Sequence, residues 1–268
     1  MVSFDLSIAA RNLKTVIMKL TFAKLMLACF CILGMSYGCE QEEPENISRT
    51  GDSLFFAGEY WTIKEYVTSF QGPGPNYFSS NPNHVWVDSR GRLHMTISNK
   101  DSKWFATEVI STENTGYGTY RFTVLGNFTE MPENITLGLF TWDNNTFTEA
   151  ANSEVDIELS KWGDTNTVQS LTYAVQPVNF GTYFAERTSN PELDEPTNLD
   201  GLTTHEFTWT ESLITWKSYK GDKAIPENEI AEWSFDDKMQ ARVKSENDWV
   251  WRCASAINNS RNQSHKRP

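Results

Sequence analysis

From Ser53 onward the chain alternates apolar and polar residues with period two, and no long stretch repeats every 3.6 residues. Such a chain buries one face of many short strands and offers no long amphipathic helix to pack against them. Val85 and Val87 alternate with polar neighbours, and Leu93, Met95 and Ile97 share one face of the next strand. Asp88-Ser89-Arg90-Gly91-Arg92 between them reads as a hairpin turn, with Gly91 free to take positive φ. Further strands are expected over 104–110, 117–125, 136–142, 154–159, 171–178, 205–209 and 214–219. Gly72-Pro73-Gly74-Pro75-Asn76 is a rigid loop, and 189–202 is a long polar one. No internal repeat is present. Short strands separated by turn signals predict an all-β sandwich.

The 268 residues allow one large domain or two small ones, and 39% hydrophobic content supports a packed core. Ten Trp residues suit either a large β-core or a cleft in which flat rings cover the apolar faces of sugars. The formal charge is −12. Residues 1–38 carry four bases and one acid, a local +3, which leaves −15 for the rest. A surface this acidic argues against nucleic acid or an anionic membrane face as partner, and a neutral polysaccharide meets no such objection. Cys29, Cys31, Cys39 and Cys253 all lie outside the body of the chain, which excludes a disulfide framework, a thiolate zinc site and a Cys nucleophile within it. His84, His94, His205 and His265 show no metal-binding spacing, so no metal site is assigned.

The N-terminus reads as an address. Met18 is a second plausible start, Lys19 and Lys24 form a positive region, and 25–35 is an apolar run too short to span a bilayer. Ser36-Tyr37-Gly38-Cys39 resembles a bacterial lipoprotein processing site, with Cys39 as the lipidated residue and Ser36 where Leu is usual. Residues 1–39 are therefore read as a signal peptide, 40–52 as a flexible tether and 53–250 as the folded domain. The membrane enters only through the lipid anchor. The chain is placed at the outer membrane or cell surface, or without lipidation in the periplasm or medium.

In a strand, residues i, i+2 and i+4 face the same way. Glu154, Asp156 and Glu158 therefore share one face of the segment 154–159, and Val155, Ile157 and Leu159 share the other. Adjacent acids lie about 6.6 Å apart at the backbone, close enough to repel unless one keeps a proton or a cation is near. A solvated strand usually mixes Thr, Lys and Glu and avoids like charges side by side. A calcium cluster more often draws on loops that wrap the ion. Both stand as alternatives to a third reading, in which two carboxyls divide the work of a retaining glycosidase. Such a pair sits about 5–5.5 Å apart, one ionised to attack the anomeric carbon and one protonated to release the leaving oxygen. Glu154 and Glu158 are roughly 13 Å apart along the backbone, and long side chains can lean together over Asp156.

The run Ser153-Glu154-Val155-Asp156-Ile157-Glu158-Leu159 resembles the E-x-D-x-E signature of glycoside hydrolase family 16. Gly116-Tyr117-Gly118-Thr119-Tyr120-Arg121-Phe122 is similar to an upstream strand of that family, and Leu137-Gly138-Leu139-Phe140-Thr141-Trp142-Asp143 to the strand before the acids. His205-Glu206-Phe207-Thr208-Trp209 and Ile214-Thr215-Trp216 resemble its paired downstream strands. The resemblance runs from about residue 54 to about 245, in the family's order. It implies a concanavalin-like jelly roll of two antiparallel sheets, with the glycan lying across the concave one. It makes Glu154 the nucleophile, Asp156 its helper and Glu158 the general acid/base. It places Asn76, Glu108, Trp142, Trp162 and Gln176 in the substrate cleft. The implied activity is a retaining endo-β-glycanase acting on a β-glucan or galactan, as a monomer. No cofactor is required, and the fold has room for a structural calcium. Transglycosylation, a non-catalytic glycan-binding jelly roll and an inactive truncated product are the alternatives.

The end of the chain departs from the family. The stretch 252–268 holds four bases and no acid and lacks alternation, so 251–268 reads as an atypical basic tail, frameshifted or disordered. The sandwich is accordingly expected to lack a closing strand and to expose unpaired edges.

Overall fold

The computed structural model describes residues 2–8, 49–113, 116–143, 154–167, 171–178, 185–236 and 249–257. In chain order the strands begin with β1 Val2–Ile8, β2 Arg49–Thr50, β3 Ser53–Phe56, β4 Glu59–Ile63, β5 Tyr66–Gln71 and β6 Asn76–Phe78. Then come β7 Val85–Val87, β8 Leu93–Lys100, β9 Lys103–Ser111, β10 Gly118–Gly126, β11 Ile135–Asp143 and β12 Val155–Ser160. The last are β13 Leu171–Val175, β14 Thr188–Ser189, β15 Gly201–Trp209, β16 Ile214–Lys220, β17 Glu229–Phe235 and β18 Trp249–Ile257. Among the described residues the helical pieces are short 3-10 turns, such as Phe128–Glu130.

Two antiparallel sheets form a jelly-roll sandwich. The front sheet runs β2-β3-β4-β9-β18-β11-β12-β13-β14. The back sheet runs β7-β8-β1-β10-β15-β16-β17. At one end the first half of β9 leaves the front sheet, pairing parallel to β6 and antiparallel to β8. Period two then decides what meets between the layers. Leu139, Ile157 and Tyr173 lie level on β11, β12 and β13, and each is fully buried. From the back sheet Phe122, Phe207 and Trp216 join the same buried core, with Trp216 stacked on Tyr173 and Tyr120 on Phe207 at 4.6 Å. Burying a side chain of this size contributes about 1.5–3 kcal/mol, so the inner row fixes strand register firmly.

Two segments pair as strands outside those expected from the sequence. The tail taken to begin at residue 251 continues a strand through Ile257. It lies between β11, from Ile135↔Ile257 to Asp143↔Trp249, and β9, from Thr107↔Ser255 to Ile110↔Arg252. The front sheet is continuous there, where a missing closing strand was expected. The sequence hides this strand because Arg252 and Ala254-Ser255-Ala256 dilute the apolar alternation, while neighbours on both sides supply the backbone partners. Val2–Ile8, read as part of a leader, lies between β8 and β10 and pairs with both. Cys39 and the rest of 9–48 lie outside the described residues, as do 258–268.

Candidate active site

The acids sit on β12 and the residue before it. Glu154 precedes the strand, and its carbonyl accepts a hydrogen bond from the Gln176 N–H at 2.9 Å. Val155, the first strand residue, donates its N–H to Thr141 Oγ1 at 3.1 Å. Val155, Ile157 and Leu159 are fully buried in the core, which turns Glu154, Asp156 and Glu158 to the outer face of the front sheet. Glu158 lies level with Gly138 on β11 and Thr172 on β13, so its neighbour on β11 is a residue with no side chain to crowd it. Asp156 lies level with Phe140 and Ala174.

Asp156 is not the solvated middle of a wet face. It is 3% exposed, while Glu154 and Glu158 are half-buried. Burial pushes its carboxyl up to about 7, against a smaller downward pull from the Gln176 amide, whose Nε2 donates to Oδ2 at 3.1 Å. A carboxyl in that position holds its proton through the weakly acid range, so three acids on one face need not carry three charges. From behind, the Trp216 indole N–H donates to the Asp156 backbone carbonyl at 3.0 Å. Trp216 is itself fully buried and stacks with Tyr173, so the back sheet grips the acid strand at its middle residue.

The other expected cleft residues fall into different surroundings. Gln176 reaches Asp156 directly. Trp142 is half-buried on β11, and Trp162 is 37% exposed in the turn after β12, with φ at +53°. Glu108 lies on β9 in the same outer row as Glu158, separated by Gly138 and Ala254 on the two strands between. It is fully buried and ion-paired to Lys64 Nζ at 2.7 Å. Lys64 also donates to the Gly72 carbonyl and lies 4.2 Å from the centre of the Phe78 ring. Asn76 is 2% exposed, and its amide donates to the Pro73 carbonyl at 2.7 Å, holding the Pro-Gly turn. Among the described residues no cluster of three or more His, Cys, Asp and Glu side chains is placed to hold a metal ion.

Three positions escaped sequence reasoning. Trp216 stood in a recognisable strand motif, but its contact spans the sandwich and has no local signal. Lys64 looks like any surface lysine until β4 and β9 pair. Arg187 lies in a segment with no pattern, yet it is 7% exposed and donates to the Val175 and Gln176 carbonyls at 3.1 and 3.2 Å.

No protein-family model and no curated protein sequence matches the chain. Solved structures do. A family 16 glycosyl hydrolase of Mycobacterium smegmatis superposes with a TM-score of 0.52 at 13% identity, covering 81% of this chain and 86% of that one. A protein of Mycobacterium tuberculosis, described as an immunostimulatory antigen and pseudo beta-1,3-glucanase, gives 0.52 at 16% identity over 74% and 80% of the two chains. A family 16 endo-glucanase of Bacteroides ovatus gives 0.51 at 12% identity over 74% and 81%. Identities this low speak for architecture and not for activity. The chain has the fold of the family 16 glycoside hydrolases.

Proposed function

We propose that the chain is a retaining endo-β-glycanase that cleaves β-glycosidic bonds of a β-glucan or galactan by double displacement. The observation that carries this reading is the acid strand itself. Glu154, Asp156 and Glu158 share the outer face of a strand whose inner face is locked in the core, and the middle acid is buried and biased toward its neutral form. In the first step a Glu154 carboxylate oxygen bonds to the anomeric carbon. The glycosidic C–O bond breaks, and Glu158 gives its proton to the leaving oxygen. In the second step Glu158 takes a proton from water, the water oxygen bonds to the anomeric carbon, and the bond to Glu154 breaks. A neutral Asp156 keeps a third negative charge off the face while Glu154 is ionised. A sugar hydroxyl replacing water in the second step would make the same site a transglycosylase.

A second reading is favoured by one finding. The same jelly roll occurs in a protein described as a pseudo beta-1,3-glucanase, so the face could bind a glycan without cutting it. Offering the purified protein lichenan, laminarin, agarose and xyloglucan separates the two. The first reading expects reducing-sugar release from at least one substrate and a loss of about a thousandfold or more in Glu154→Gln. Equal release by both proteins would overturn the role of Glu154, and binding without release would establish the second reading.

The leader adds a location. Lipidation at Cys39 would hold the enzyme at the outer membrane or cell surface, and cleavage alone would leave it periplasmic or secreted. The mass of the mature N-terminus distinguishes these, and an unprocessed Met1 or Met18 would refute export by this route.

A further inference from the structure

Gln176 is fixed at more points than a substrate-binding residue requires. Its backbone N–H donates to the Glu154 carbonyl at 2.9 Å, and its own carbonyl accepts from Arg187 Nη2 at 3.2 Å. Arg187 is in turn seated 5.6 Å from the centre of the Phe235 ring on β17. The side chain is oriented as well. Gln176 Oε1 accepts from the Val178 N–H at 3.0 Å, which leaves Nε2 to face Asp156 Oδ2 at 3.1 Å. An amide with its oxygen engaged can offer only a donor on the other side.

We propose that Gln176 is a positioning residue for Asp156: its amide engages Oδ2 as an acceptor and so biases the proton of Asp156 onto Oδ1. The carboxyl can then donate from Oδ1 while remaining anchored through Oδ2. The chain Phe235–Arg187–Gln176–Asp156 thus runs from the edge of the back sheet to the centre of the acid strand. The charged groups around Asp156 are Glu154 and Glu158 on its own strand and Arg187 beyond β13. β11 places Phe140 beside it, with Arg252 of β18 level beyond Phe140 in register. The Glu108–Lys64 pair lies further along the sheet, and behind the strand the back sheet contributes Trp216. The proposal rests on the active-site reading for its consequence but not for its geometry.

The test is infrared difference spectroscopy of the protonated carboxyl, assigned by its disappearance in Asp156→Asn, across a pH titration. In Gln176→Met the carboxyl C=O stretch moves to higher frequency, because its donor is gone. Its titration moves up by about one pH unit, the worth of one lost hydrogen bond to the ionised form. Gln176→Glu keeps the acceptor for Val178 and serves if Gln176→Met melts early; its titration also moves up. In turnover, kcat falls about tenfold with KM within about twofold of wild type. An unmoved band and titration in a folded variant, or a raised KM with both unmoved, would overturn the proposal and return Gln176 to substrate binding. Wild type lacking hydrolysis while the band still moves would refute the hydrolase reading and leave the positioning role standing.

Discussion

Asp156 and His205 are both buried titratable groups, one on the outer face of the front sheet and one between the sheets, and burial drives each toward its neutral form. The surroundings then part company. Among the described residues Asp156 has a single amide donor, and Glu154 and Glu158 flank it two positions away on either side. His205 sits in a closed chain of hydroxyls. Its Nδ1 meets Ser218 Oγ at 2.7 Å, its Nε2 meets Thr203 Oγ1 at 2.9 Å, and Ser218 continues to the Tyr173 hydroxyl at 2.6 Å across the sandwich. The core group is satisfied and inert. The outer group keeps an oxygen to use. A buried polar network fully paired serves the fold, and one held at a single point is available to chemistry.

The contrast can be broken most forcefully at the edge of the acid face. Lys64→Met removes the ion pair described at the fully buried Glu108, and unfolding should cost about 3–5 kcal/mol less than in wild type. Urea denaturation measures it, and a loss below 1 kcal/mol would mean that Glu108 reaches water in solution.

The pH dependence of stability is sharper, because the two groups act with opposite sign. Asp156 is raised to about 7, so the native state holds a proton that the unfolded chain has already released. Its contribution is present below about pH 4 and is lost as pH rises to about 7, on the order of 4 kcal/mol in all. His205 is lowered to about 4, so the unfolded chain binds the proton first. Its contribution is present above about pH 6.5 and is lost as pH falls to about 4, on the order of 3 kcal/mol. In wild type the slopes oppose each other. Asp156→Asn should therefore melt with stability rising between pH 4 and 6.5, and His205→Asn with stability falling across the same window. Parallel slopes in the two variants would refute the assignment.

The smallest effect belongs to the hydroxyl chain. Tyr173→Phe removes one member and leaves Ser218 its bond to His205, for a loss of about 1 kcal/mol by thermal unfolding and no change in any hydrolytic rate. A rate loss would mean that the hydroxyl chain acts on the acid strand through the Tyr173–Trp216 stack and the Trp216 bond to the Asp156 carbonyl.

Much of this was legible before folding. The alternation of Val155, Ile157 and Leu159 with three acids announced a strand, its buried inner face and its acidic outer face. Pairs such as Val85 with Val87 fixed others. What escaped is what sequence periodicity does not encode. Trp216 reaches Asp156 across 60 positions, and the Lys64–Glu108 pair spans 44. The depth at which Asp156 is buried was not legible, because period two tells which side a residue takes and not how deeply that side is covered. β18 was unreadable because its place is dictated by its neighbours β9 and β11 more than by its own residues.

The central claim is that Glu154 and Glu158 act in sequence from one strand face. It is tested most directly by proton NMR of the first reducing ends released from whichever β-linked polysaccharide the protein cleaves. Double displacement predicts that the β-anomer appears first and the α-anomer only as mutarotation proceeds. An α-anomer formed first would mean a single displacement by water and would contradict the assignment of Glu154 as nucleophile.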